Sequence, residues 1–360
     1  MERILFGILM SDRPLVSILV VTRNNKDAIL RNLQSVFSQS YSNIEVVIID
    51  SSSDDSPSII KECIERCNSR RFGVRYIHTH PRGVGAARNL AIRECSGEYI
   101  VFLDSDCYVG EDYVERAMQI FLNDSKILAI NVNIKHDSVE KGIFARAIQF
   151  YDQTRLRALG LSSRTDHLVF LTCRKKAFDL LGLFVENLEA GEDLEWIARS
   201  KKSLRQLEAE GYKAVTADLV MFEEKRAWSF GKYWRKCLWY GGAFADPDYL
   251  KASITTPMEL AVMFVQVCYP ISLFLFWLDY IEYSLLVLHT LGFLTPTLYI
   301  LLRAQTQGNI SRVIVLMPFL VMYKSFFLLL GAAMKAGKNL RSLNSRSVKL
   351  DLDNKDESFQ

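Results

Sequence analysis

The feature that most constrains this chain is a set of short apolar runs rich in β-branched residues, each followed at once by a polar cluster. Leu15–Thr22 and Ile44–Ile49 show no polar/apolar alternation, the pattern of strands buried on both faces. Such strands need helices as cover, and helical stripes lie between them. Asn24 and Asn25 are placed to cap a helix whose apolar face is Ile29, Leu33, Val36 and Phe37. Pro57 opens a second helix with Ile60, Cys63, Ile64 and Cys67 on one face. Val74–His78, a helix from Gly85 to Cys95 and the run Tyr99–Leu103 continue the alternation. This order predicts an α/β domain with a doubly wound, mostly parallel sheet. Ligands of such sheets bind beyond the carboxyl ends of the strands.

The polar clusters stand at those ends. Thr22–Asn24 follows the first strand, Asp50–Asp55 the second and Asp104–Asp106 the fourth, so three clusters point to one crevice. If Asp104-Ser105-Asp106 stays extended, its two carboxylates project to the same side and can face one cation. Hard oxygen ligands of this kind suit Mg²⁺ or Mn²⁺; the alternative is an acidic surface turn. Asp50 can accept from a base N–H or from ribose hydroxyls. The same stretch also reads as an Asx-type turn, with Asp55 or Ser56 capping the next helix. Gly83 and Gly85 form a short glycine loop opening a helix, and Arg88 one turn in can reach a pyrophosphate or lie on a solvated face. Gly191-Glu192-Asp193 offers a carboxylate to deprotonate an attacking hydroxyl or orient a phosphate nucleophile, or acids on the first turn of a helix.

From Pro257 the character changes. Ala261–Leu278 and Ser284–Leu302 are apolar runs of 18 and 19 residues, close to the ~20 needed to cross a bilayer. The loop Asp279–Tyr283 between them holds two acids and no base, and the flanks are basic. A hairpin with both ends cytosolic is expected. A third run, Val313–Met334, is interrupted by Pro318 and Lys324 and is followed by a basic tail, leaving a re-entrant segment or a third span. Trp228, Tyr233, Trp234, Trp239 and Tyr240, interleaved with Lys232, Arg235 and Lys236, suit the headgroup level of a membrane. The expected division is therefore residues 1–225 as the catalytic domain, 226–256 as an interfacial segment, 257–335 as the membrane part and 336–360 as a basic then acidic tail. Ile4–Met10 is too short for a span and is followed by Asp12 and Arg13, so no secretory leader is expected and the catalytic region is placed in the cytosol. Seven cysteines without a C-x-x-C pair fit free thiols. A net charge of +3 gives no reason to expect a nucleic-acid partner.

Taken together these segments resemble the family 2 glycosyltransferases, which have the GT-A fold. The matching pieces are Val16–Asn24, Asp50–Asp55, Gly85–Asn89, Asp104–Asp106, Gly182–Glu186 and Glu192-Asp193, in the family's order over about residues 14–245. The resemblance implies an inverting, metal-dependent transfer from a nucleotide diphosphate sugar, with Mn²⁺ or Mg²⁺ as cofactor. Asp50 would read the base, Asp104 would sit near the ribose or metal, and Asp106 would ligate the metal. Asp193 would be the catalytic base. Thr22, Asn24 and Arg88 would complete the donor site. Relatives often carry a metal-proximal histidine after the acidic pair; Phe222-Glu223-Glu224 occupies that region here, so Glu223 or Glu224 would substitute. No Arg-Trp pair exists in the chain, which speaks against the Q-x-x-R-W processive synthases. Tethering to membrane lipids suggests a lipid-linked or polyprenyl-phosphate acceptor. A sugar nucleotidyltransferase and a non-catalytic membrane scaffold are the rival readings.

Overall fold

The computed structural model describes residues 13–66, 71–136, 172–188, 191–223 and 230–243, with isolated positions between 272 and 337. Chain contacts divide it into two units: 1–139 with 163–188 and 192–227, and 140–162 with 189–191 and 228–360.

The first unit is built on strands β1 (Val16–Thr22), β2 (Ile44–Asp50), β3 (Gly73–His78) and β4 (Tyr99–Phe102). Between them run helices α1 (Ile29–Phe37), α2 (Ser56–Arg66) and α3 (Val84–Glu94). β5 (Cys107–Val109), α4 (Tyr113–Asn123), β6 (Ile127–His136), β7 (Thr172–Arg174), α5 (Lys176–Leu181), α6 (Glu192–Ala209) and β8 (Lys213–Glu223) follow. The eight strands form one sheet in the order β3-β2-β1-β4-β7-β6-β8-β5. β3-β2-β1-β4 are parallel, as the alternation of runs and stripes requires. Antiparallel β7 then joins β4 to β6, and antiparallel β5 closes the far edge on β8. β6 and β8 are again parallel, so four of the seven pairings are parallel.

Both faces of the parallel half are covered. One core gathers Ile18, Val20, Val46 and Ile48 against Ile29, Leu33, Val36 and Phe37 of α1, the expected stripe. The other sets Leu19, Val47, Ile49 and Phe102 against Ala91 and Ile92 of α3 and against Phe178, Phe184 and Trp196. Full burial of each large aliphatic or aromatic side chain contributes about 1.5–3 kcal/mol, which is why these runs carry no alternation.

The expected caps fall elsewhere. α1 starts at Ile29 with Ala28 at its N-cap, and the N–H groups of Ala28 and Ile29 donate to the backbone carbonyl of Asn25. Before α2 it is Asp54, not Asp55 or Ser56, whose carboxylate accepts the Ser56 N–H, at 3.0 Å. Asp55 instead pairs with Lys26 on the surface. Asparagine and aspartate serve equally as caps and as loop ties, and tertiary proximity decides between the two roles.

Helix α7 (Phe230–Ala243) belongs to the second unit, with Tyr233 and Cys237 buried and Trp239 exposed. Among the described residues no helix is long and apolar enough to cross a membrane. The runs Ala261–Leu278, Ser284–Leu302 and Val313–Met334 lie largely outside the described residues. The side chains of Cys63, Cys95, Cys107, Cys173 and Cys237 are buried.

Candidate active site

Thr22, Asp50 and His78 are register partners, so β1, β2 and β3 end on one line. The loops beyond that line are tied together by short polar side chains. Asn24 sits at φ 52°, a left-handed conformation that asparagine tolerates. Its N–H donates to Ser52 Oγ at 2.8 Å, and its Oδ1 accepts the Ser53 N–H at 2.8 Å. Asn25 Nδ2 donates to Ser105 Oγ at 2.8 Å, and its N–H to Ser56 Oγ at 3.1 Å. These ties join the ends of β1, β2 and β4 into one floor. Thr22 is buried in that floor.

Asp50 has no exposure at all. Its Oδ1 accepts the Ser52 N–H at 2.9 Å, the Asx-type turn, and its Oδ2 accepts the Tyr76 hydroxyl at 2.8 Å. His78 Nδ1 lies 3.2 Å from the same Oδ2. Burial, followed by the bond to Asp50, pushes the Tyr76 hydroxyl well above its usual range. An open groove beyond β2 and β3 is lined by Ser51, Thr79, His80, Arg82, Arg93 and Glu186 among others.

Arg88 lies neither on a solvated face nor free in the crevice. It is 5% exposed, and its guanidinium is forked between two carboxylates: Glu192 Oε1 at 2.5 Å and Asp104 Oδ1 at 3.0 Å. Phe184 packs under it, with its ring centroid 5.6 Å away. α3 is held inward because Asn89 clamps the same segment. Asn89 Nδ2 donates to the Phe184 carbonyl at 2.8 Å and to Glu186 at 3.0 Å, and the Phe184 N–H returns to Asn89 Oδ1 at 3.0 Å. Close approach needs the glycines: Gly83 has φ 100°, and a Cβ on Gly85 would run into the Val185 carbonyl.

Burial works against the Arg88 charge, but Asp104, Glu192 and Asp193 together outweigh it and hold the guanidinium firmly protonated. Burial also raises the Glu192 carboxyl; Arg88 opposes this, while Asp193 and Asp104 add to it. One cation does not neutralise three acids.

The acidic pair is not extended. The Cys107 N–H donates to the Asp104 carbonyl at 2.8 Å, closing a turn over Asp104–Cys107, so the alternation of an extended strand does not apply. The Asp104 side chain remains 29% exposed. Asp106 follows within the turn, and its Oδ1 lies 3.8 Å from the Cys107 sulfur. β8 brings Glu223 opposite Cys107 and, on its other side, opposite His136 of β6. Burial pushes the Cys107 thiol far up, and the charges of Asp104, Asp106 and Glu223 add to the shift, so three carboxylates act on one buried sulfur. Among the described residues no group of three or more His, Cys, Asp or Glu side chains is placed to hold a metal ion. One or two carboxylates supplemented by waters and phosphate oxygens are nonetheless the usual donor set for Mg²⁺, and Asp104 with Asp106 fits that chemistry. Glu224 lies outside the described residues.

Arg88 therefore brings Asp104 and the Glu192-Asp193 corner together. Glu192 as its buried partner and Asn89 as the clamp were missed from sequence. The available signal was Gly85, Arg88 and Asn89 on one buried helical face.

Residues 17–182 match the family model for Glycosyl transferase family 2. Over this stretch the chain is similar to the family 2 glycosyltransferases. The α/β architecture and the parallel half of the sheet agree with the doubly wound sheet expected from the sequence. The matched stretch ends at Gly182, so the placement of Glu192, Asp193 and Glu223 rests on geometry. Among curated relatives, the UDP-Glc:alpha-D-GlcNAc-diphosphoundecaprenol beta-1,3-glucosyltransferase WfaP of Escherichia coli is 35% identical over 36% of this chain and 51% of its own length. Glycosyltransferase AglE of Haloferax volcanii is 25% identical over 53% of this chain and 62% of its own. The chain spans less than two thirds of the length of the curated relatives it matches. Among solved structures, the mannosyltransferase PcManGT from Pyrobaculum calidifontis, in complex with GDP-Man and Mn²⁺, aligns with TM-score 0.49 and 18% identity over 91% of this chain and 88% of that one.

Proposed function

We propose that this chain is an inverting transferase moving a sugar from a nucleotide diphosphate sugar to a lipid-linked acceptor such as a polyprenyl phosphate or diphosphate saccharide. The observation that carries the reading is the convergence of the Asp104–Cys107 turn and the acidic start of α6 on the buried Arg88. In this reading the groove at the ends of β2 and β3 takes the nucleotide, with Asp50 bracing its floor and Thr22 and Asn24 holding the adjoining loop. Asp104 and Asp106 would hold Mn²⁺ or Mg²⁺, with Glu223 alongside. Such an ion would supply Lewis-acid neutralisation of the leaving diphosphate. Arg88 fixes Asp104 relative to α6. Asp193 takes the proton of a saccharide acceptor's hydroxyl, or orients the phosphate oxygen of a polyprenyl phosphate, as the acceptor oxygen bonds to the anomeric carbon; the bond from that carbon to the donor's phosphate oxygen breaks, and the nucleoside diphosphate leaves from the opposite face.

The lipid-linked acceptor is supported by the name of the WfaP relative, which is described as acting on a diphosphoundecaprenol substrate. A membrane-facing position, with the catalytic domain on the cytosolic side, is supported by the apolar runs and by the exposed Trp239, Trp277, Tyr280 and Tyr283 of the second unit. A single cysteine placed near Ser345 should resist labelling from outside intact cells; labelling there would overturn the shared-side topology.

The deciding test is a screen of UDP- and GDP-sugars for metal-dependent release of nucleoside diphosphate. Release of pyrophosphate instead would point to a nucleotidyltransferase, and absence of turnover with every donor would leave a binding scaffold.

A further inference from the structure

We propose that Asn32 is a positioning residue for the metal-binding turn, an inference that rests on the transferase reading above. β5 is the end strand of the sheet, paired on one side with β8. Its other edge is not left open. Asn32 and Ser35 of α1 and Gln39 just past its end stand three and four residues apart, on one helical face, and bond to the backbone along that edge.

Gln39 Nε2 donates to the Gly110 carbonyl at 2.8 Å, and its Oε1 accepts the Val114 N–H at 3.1 Å. Ser35 Oγ accepts the Val109 N–H at 3.4 Å. Asn32, only 1% exposed, reaches the turn itself. Its Nδ2 donates to the Asp104 carbonyl at 2.9 Å and to the Cys107 carbonyl at 2.7 Å. These are the first and last residues of the turn that carries Asp106. The two hydrogens of one planar amide have a fixed spread, so they set the separation of the two carbonyls. The turn is thereby strapped from inside, and the spacing of Asp104 from Asp106 follows from the strap.

The energetics separate this role from simple packing. Asn32 Oδ1 is buried, and no described group donates to it. An apolar residue of the same size leaves the Asp104 and Cys107 carbonyls without this donor, a cost that removal of the desolvated Oδ1 acceptor offsets only in part, so stability alone does not report the strap. A turn that opens by a fraction of an ångström is felt in metal affinity instead.

The test compares Asn32→Leu with Gln39→Ala in the full-length chain, titrating Mn²⁺ in the presence of UDP or GDP by calorimetry. Asn32→Leu should weaken Mn²⁺ affinity by about 10–100-fold, as removal of an outer-shell partner typically does, while Gln39→Ala stays within about twofold of wild type. Equal losses in both variants, or none in Asn32→Leu, would overturn the proposal. Should Asn32→Leu not fold, Asn32→Ser keeps one donor and should show a smaller loss in the same direction. Amide exchange gives a readout independent of ligand. The Cys107 N–H should exchange faster in Asn32→Leu than in Gln39→Ala, and equal protection would count against the strap. If the wild type binds Mn²⁺ with neither nucleotide, the transferase reading falls, and exchange at Cys107 still decides the role of Asn32.

Discussion

Arg88 and Glu192, 104 residues apart in sequence, form a 2.5 Å ion pair in which both side chains are almost fully buried. The second nitrogen of the guanidinium holds Asp104, so a single residue of α3 locks the Asp104–Cys107 turn to the start of α6. A forked guanidinium suits this task because its donors are fixed in one plane.

Removing that centre should be costly. Arg88→Met leaves Asp104, Glu192 and Asp193 facing one another beside Phe184 without a cation. The expected loss is about 3–5 kcal/mol in urea unfolding, the range for breaking a buried pair from one side. Adding Glu192→Gln removes one of the stranded charges and should restore part of the loss. Strictly additive single and double variants would show that the two side chains do not act as a unit.

Asp193 tests the chemistry rather than the scaffold. Asp193→Asn keeps the size and the helix start but cannot take a proton. Donor affinity should stay near wild type, while transfer falls by ~10²–10⁴-fold, the usual contribution of a general base. A variant that turns over at near the wild-type rate would remove Asp193 from the mechanism.

Asp106 tests the metal. It lies in the turn, and its removal leaves the Arg88 fork to Asp104 and Glu192 in place. Asp106→Ala should therefore keep its unfolding midpoint and lose Mn²⁺-dependent binding of a nucleoside diphosphate. Calorimetry showing an unchanged, metal-dependent affinity in the folded variant would contradict the assignment.

The half of the fold that rests on burial was legible from residues alone. β1 to β4 begin and end within a residue or so of their apolar runs, and Ile29, Leu33, Val36 and Phe37 are all buried as their spacing demands. Thr22 and Asp50 fall at the ends of β1 and β2 as register partners, and Asp104 stands two residues beyond the end of β4. What escaped was decided by partners distant in sequence. Asn24 and Asn25 have the chemistry of helix caps, yet Ser52, Ser56 and Ser105 come within reach and take them as ties. The acidic pair reads as extended until the Cys107 N–H and Asn32 bend it into a turn. Arg88 reads as a phosphate ligand until Glu192 and Asp104 fill its fork. None of these outcomes has a local signature.

Gly85 shows how tightly that fork is built. In a helix, Gly→Ala is ordinarily favourable by up to about 1 kcal/mol, since glycine loses more backbone freedom on folding. Here the added methyl meets the Val185 backbone carbonyl rather than a yielding side chain. Overpacking against a fixed group costs about 1–3 kcal/mol, and Gly85 stands at the second residue of α3, where the helical gain is smallest. Steric cost should win, and Gly85→Ala should lower the urea midpoint. Displacing Val185 also pulls on its neighbour Phe184, whose backbone Asn89 clamps and whose ring supports Arg88. Mn²⁺-dependent nucleotide binding should therefore weaken along with stability. A more stable Gly85→Ala with unchanged binding would mean that the Val185 segment yields freely and that the close approach of α3 does not hold Arg88 in place.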